Sequence, residues 1–301
     1  MHSALVSMMP NASSTCSAAC TSDADDFSAR ILTAVVEASA ATRSVHARNV
    51  SRRQRQYQRT CRKLKHGCVF LSKGWRVMLP KLLLPALGYT GSSAEVGVWH
   101  GHFSSIVVDG WKQARGTHFL VDPYRPVASC DALRRDKHCT LSAADFDEAL
   151  AKAKAAIATA QARRPHARPV RFVRRDSLAA APSVPDASLD FVYVDAAHDH
   201  HSVKMDLHAW ARKVCPGGLL AGHDFSERGV ASAVHEFLNR RRRLRGLPAP
   251  PSQLFADRLF VTAEHPSTWF VFRRTCGAGH GQQNAALRAD EAWPSWRSRT
   301  T

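Results

Sequence analysis

No apolar run in this chain approaches the roughly 20 residues that a bilayer-spanning helix needs. The best candidate, "VMLPKLLLPALGY" at 77 to 89, is short and carries two prolines and a lysine, so no membrane span is expected. The eight cysteines include no C-x-x-C pair, which argues against a zinc knuckle or a disulfide scaffold. The first 22 residues hold no Lys or Arg and lack the basic start and apolar centre of a secretory signal; Asp23, Asp25 and Asp26 then interrupt the composition of a transit peptide. A soluble protein in the reducing cytoplasm is the expectation, with organellar targeting by the N-terminal extension as the alternative. Phosphate cradles are missing too, since neither G-x-G-x-x-G nor G-K-S/T occurs. Acid is scarce: 42 Lys and Arg stand against 25 Asp and Glu, a net charge of +17. Nine basic residues and no acid fall between Arg43 and Lys65, and "RRRRLR" spans Arg240 to Arg245. Only Tyr57 interleaves the first run, so these read as solvated basic faces sooner than as a base-reading surface.

What is present suits one domain of ordinary size with extensions, 301 residues at 45% hydrophobic content. Residues 1–66 read as an N-terminal extension, helical in part from the spacing of Phe27, Ile31 and Val35, and packed loosely or not at all. Residues 67–275 form the folded domain, and 276–301 a tail. In the domain, short apolar runs alternate with amphipathic stretches, the pattern of strand, crossover helix, strand. Seven runs read as strands: 93–98, 117–122, 169–174, 189–195, 218–224, 258–263 and 268–274. The last two are separated by only five residues and must be antiparallel neighbours. Between them, helical faces are marked by Phe103, Ile106, Val107 and Trp111, by Phe146, Leu150, Ala153 and Ile157, and by Val230, Val234 and Phe237. The clearest helix is expected from about His200 to Val214, on the stripe Val203, Leu207, Trp210, Val214, with "CPGG" as its stop.

"AEVGVWHGHFS", Ala94 to Ser104, carries two glycines four apart where the first expected strand turns into a helix. In an open parallel sheet, ligands sit outside the carboxyl ends of the strands, and glycine there lets backbone approach them closely. Asp122 ends the next strand, 25 residues after Gly97, and its carboxylate is suited to the paired hydroxyls of a ribose. A nucleoside site is the reading.

"EVGVWHG" resembles the E-x-G-x-x-x-G turn of class I S-adenosylmethionine (SAM) methyltransferases, with "LVDPY" as the ribose acid. "LDFVYVDAAHDHHSVKMDLHAWARKVCPGGLLAGHDF", 189 to 225, is similar to the fourth-strand, helix and fifth-strand block of small-molecule O-methyltransferases of the macrocin and sugar O-methyltransferase type, the "methyltransferase domain 24" kind. The resemblance covers roughly Gly91 to Arg274. It implies a Rossmann-like α/β fold: a seven-stranded, mostly parallel sheet with an antiparallel last hairpin and helices on both faces. It further implies that Gly97 and Gly101 line the methionine part of SAM, that Asp122 binds the ribose, and that Asp176 with Ser177 meets the base. Glu95 would support the turn and Trp99 cover the cofactor, as would His100. Asp176 equally suits the N-cap of a short helix.

Such a donor carries an activated methyl, so the enzyme must chiefly align a nucleophile and remove its proton. "VDAAHDHH" and "GHDF" follow the fourth and fifth strands, making Asp195, His198, Asp199, His223 and Asp224 the candidates. His198 is assigned as general base, with Asp195 and His223 beside it. Asp195 and Asp224, with His223 or Asp199, offer a set for Mg²⁺. Lys204 and Asp206 are assigned to the wet face of the helix, with bracing of the fourth-strand loop as the alternative for Asp206. The expected activity is methyl transfer to a hydroxyl oxygen of a small molecule; the alternative is an RNA or DNA methyltransferase that holds phosphates on its basic segments. "DAAH" stands where an amine-methylating N/D-P-P-Y motif would be, which weighs against that alternative. The acceptor's identity and the oligomeric state, monomer or homo-oligomer, are open.

Overall fold

The computed structural model describes residues 33–35, 68–71, 74–126, 140–164, 167–239, 255 and 259–274. The expected tail at 276–301, the basic runs and most of the loop from 246 to 257 lie outside them. The strands are β1 (Cys68–Leu71), β2 (Ser92–Val96), β3 (His118–Val121), β4 (Val170–Val173), β5 (Leu189–Val194), β6 (Val214–Gly222), β7 (Leu259–Thr262) and β8 (Trp269–Phe272). They form one sheet in the order β1-β7-β8-β6-β5-β2-β3-β4. All pairings are parallel except those of β8, which runs against both β6 and β7. The seven expected strands are therefore present with their antiparallel hairpin, and β1 adds an eighth at the edge beside β7.

The helices are α1 (Trp75–Met78), which continues through a π-helical turn (Leu79–Leu83) into Leu84–Ala86, α2 (His102–Gly110), α3 (Ala143–Ala162), α4 (Ser177–Ala180), α5 (His200–Trp210) and α6 (Arg228–Asn239). Alternation along β5 decides which layer each side chain joins. Val192 and Val194 pack with Val203, Leu207, Trp210, Val230, Val234 and Phe237 of α5 and α6. Phe191 and Tyr193 pack on the other face with Trp75, Leu79, Phe103 and Val107 of α1 and α2. A further cluster joins Leu120 of β3 to Phe146, Leu150, Ala153 and Ile157 of α3, whose start is a capping box between Ser142 and Asp145. The result is three layers, with helices on both faces of the sheet.

Four expectations need correction. The helix beginning at His200 ends at Trp210, and "CPGG" lies within β6. A 3₁₀ turn (Ala211–Lys213) absorbs the reversal, and the β5–β6 pairing shifts register around this stretch, so Pro216 sits at an irregularity where its missing N–H costs no ladder bond. Asp206 is on the buried side of α5, 5% exposed, because Ser177 of α4 donates to its carboxylate. The extension is not wholly loose: residues 33–35 are helical, and Ala34 and Val35 are buried in the cluster around Trp75. Cys215 is disulfide-bonded, against the expectation of reduced cysteines.

Candidate active site

Strand order sets side by side what the sequence holds far apart. The carboxyl ends of β6, β5, β2, β3 and β4 are neighbours in that order, and they lead into Asp224, Asp195, Gly97, Asp122 and Asp176 respectively. At about 4.8 Å between strands, this row is on the order of 19 Å long. Backbone strain concentrates along it: of the four non-glycine residues with positive φ among the described residues, Trp99 (50°), Tyr124 (46°) and Asp224 (53°) lie here, each held against a conformational cost of about 1–3 kcal/mol.

The turn after β2 is shaped by its glycines, both left-handed, with φ of 87° at Gly97 and 72° at Gly101. A side chain at Gly97 would meet the backbone oxygen of Asp195 at 2.2 Å. Gly97 thus lets the end of β5 pass directly against the turn, and this close approach draws Asp195 to the middle of the row. Asp122 is half-buried and accepts from the backbone N–H of Val98 (2.9 Å), Trp99 (3.0 Å) and Tyr124 (2.9 Å). Its carboxylate therefore holds the turn in shape. The Trp99 ring stacks on His100 and meets Phe146 edge-on. Glu95 is buried below the turn, where Ser104 of α2 donates to it; burial pushes its carboxyl up to about 8. Asp176 occupies the N-cap position of α4 without a side-chain cap bond and pairs with Arg125 at 2.5 Å in the open. Ser177 is turned inward, between Asp206 and the Trp210 indole, whose Nε1 donates to it at 2.9 Å.

At the other end of the row, His198 Nε2 lies 3.0 Å from Asp224 Oδ2. His223 Nδ1 lies 3.1 Å from the same oxygen and 3.5 Å from Asp195 Oδ1. Burial alone would raise Asp224, but the two imidazoles outweigh it and hold the carboxyl well below its usual range. Burial pulls His223 down; its bonds to the two carboxylates prevail and push it up to about 9. Asp199 is instead the N-cap of α5, accepting from Ser202 N at 3.0 Å. His200 reaches Glu236 of α6 at 2.8 Å.

Two residues of this site carried no signal in the sequence. Arg76 of α1 donates through Nη2 to Asp195 Oδ2 at 2.7 Å, and its Nη1 is 3.3 Å from His223 Nε2. Its guanidinium lies over Phe103 (5.4 Å) and Tyr193 (5.8 Å), which stack on each other. Glu264, just after β7, accepts from the backbone N–H of Gly74 (2.7 Å), Trp75 (3.2 Å) and Arg76 (3.0 Å) and so fixes the first turn of α1. Among the described residues, Asp195, His198 and Asp224 each bring one potential ligand atom within 4.8 Å of the others. His223, the expected third member, faces the same two carboxylates.

Residues 94–225, from β2 to the residue after Asp224, match a family model described as a methyltransferase domain, which supports a methyltransferase enzyme. No curated protein matches the chain. Among solved structures, it is similar to the O-methyltransferase NovP at 14% identity, covering 66% of this chain and 77% of that one with a TM-score of 0.42. It is also similar to an O-methyltransferase family protein from Burkholderia thailandensis at 13% identity, covering 68% and 56% with a TM-score of 0.38. No described helix is long and apolar enough to cross a membrane.

Proposed function

We propose that the enzyme transfers a methyl group from SAM to a hydroxyl oxygen of a small molecule. The observation that carries this is the His198–Asp224 pair, 3.0 Å apart, at the strand ends beside the glycine turn. The residues present suit the donor: two left-handed glycines, then the carboxylates of Asp122 and Asp176 on the next two strands. When bound, SAM supplies a methyl on a sulfonium, and the C–S electron pair stays with sulfur as the new O–C bond forms. Asp122 holds the turn and meets the ribose; Asp176 faces the base, with Ser177 fixing the start of α4. His198 takes the proton of the acceptor hydroxyl. Asp224 orients the ring through Nε2 and stabilises the imidazolium that results. Asp195, next to the turn, brings the acceptor to the methyl, with His223 holding its carboxylate.

Mg²⁺ assistance, which the acid pair suggests, enters no step. Asp195 Oδ2 is bonded to Arg76, and Asp224 Oδ2 faces both imidazoles, so the donor set is closed on itself and poorly fitted to an incoming ion. The test is a panel of hydroxylated metabolites incubated with the full chain and methyl-labelled SAM. Label should appear in ether linkage, and His198→Gln should abolish its appearance while SAM still binds. Label recovered only in nucleic acid would refute the proposal.

A further inference from the structure

We propose that Arg76 is the resident cation of the acceptor site, standing beside Asp195 where a divalent metal would otherwise stand, so that the acid pair works without a bound ion. This rests on the methyltransferase reading for its place in the reaction, but not for its geometry. An ion bound to Asp195 Oδ2 at about 2.1 Å would lie within about 5 Å of Arg76 Nη2, which is itself 2.7 Å from that oxygen. An arginine side chain does not give up its proton to make room. It would have to leave.

Leaving is what the surroundings oppose. The guanidinium lies over the stacked rings of Phe103 and Tyr193. Its backbone is tied by the three bonds that Glu264 accepts from the first turn of α1. Trp75 next to it is fully buried against Phe270, so the turn cannot roll. The remaining donors are committed as well: His198 Nε2 is on Asp224, and His223 spans Asp224 and Asp195. A fixed guanidinium in this position supplies what a metal supplies to a hydroxyl acceptor, a positive charge that favours its deprotonated form.

The experiment is calorimetric titration of Mg²⁺ and of Mn²⁺ into the chelator-stripped full chain, into Arg76→Met and into Arg76→Lys, with SAM titrated separately into each. Wild type and Arg76→Lys should give no saturable metal heat in the millimolar range; Arg76→Met should bind at least about tenfold more tightly than wild type. Turnover of wild type should be unchanged in excess chelator, and the acid limb of the Arg76→Met pH–rate profile should move to higher pH. Where Arg76→Met fails to fold, Glu264→Ala loosens α1 from outside the acid pair and should show the same gain. A wild-type chain that binds either ion saturably with Arg76 in place, or a folded Arg76→Met chain that binds no better than wild type, overturns the proposal. Absent SAM binding would instead count against the methyltransferase reading, which the metal titrations do not depend on.

Discussion

Replacing Gly97 by alanine tests whether that glycine exists to let β5 approach the turn. An alanine there would hold φ near 87°, in a left-handed region that costs an L-residue roughly 1–2 kcal/mol. Its Cβ would also stand 2.2 Å from Asp195 O and 2.6 Å from Ala196 Cα. Both are backbone atoms that cannot rotate away, so the turn and the end of β5 must separate, at about 1–3 kcal/mol by the measure of overpacked cores. Alanine restricts the unfolded chain and returns about 0.4–1 kcal/mol. The net loss is about 3 kcal/mol, within a range of about 1–5. Urea unfolding of the full chain should show it as a lower midpoint at unchanged slope, and a thermal scan as a fall of roughly 6–12 °C for a domain of about 200 residues. Asp195 would move with its backbone, so turnover should fall further than SAM affinity. A variant within about 0.5 kcal/mol of wild type would mean that the close approach does not position Asp195 at all.

Asp122→Ala strips the acceptor from three backbone N–H groups, and SAM affinity measured by calorimetry should drop at least about tenfold; unchanged affinity would remove Asp122 from the donor site. Glu95 keeps its proton up to about pH 8 when folded, against 4.5 when exposed. Its contribution to stability is therefore complete below pH 4.5 and lost as pH rises toward 8, by up to about 5 kcal/mol. Glu95→Gln should flatten that decline in melts taken across pH, and an unaltered slope would refute the burial account. Asp206, pushed up to about 6 by burial, predicts the same sign: Asp206→Asn should stabilise the chain above pH 6 and do nothing below pH 4. Glu264→Ala should cost about 1–2 kcal/mol, the scale of a lost helix cap, and lower kcat more than it raises KM.

The sheet was legible because its strands announce themselves locally. "LDFVYVD" is an apolar run of strand length ending in an acid, and the five-residue link "EHPST" admits only an antiparallel pairing. β1 was missed because "CVFL" is four residues followed by an apolar helix, and nothing local says that it pairs with β7, whose partner residues lie 191 positions further along the chain. The polar line from Asp224 to Asp176 could be anticipated, since each acid comes within three residues of its strand's end. Arg76 could not. It sits in "GWRVM", ahead of an apolar stretch whose length suggests only packing, and its contact with Asp195 spans 119 positions. Asp206 stands three residues after Val203 and four before Trp210, at the edge of the apolar stripe, and reads as wet only because it is an acid; the Ser177 hydroxyl across from it satisfies its buried carboxylate.

Glu264 gives assembly an order. The guanidinium comes from one side of the segment matched to the family, and the carboxylate that steadies it comes from the other. As the nascent chain leaves the ribosome, the acid pair can be complete while its arginine still lacks an anchor. A chain ending at residue 225 would hold every acid of the row yet lack the carboxylate that ties down the turn carrying its arginine.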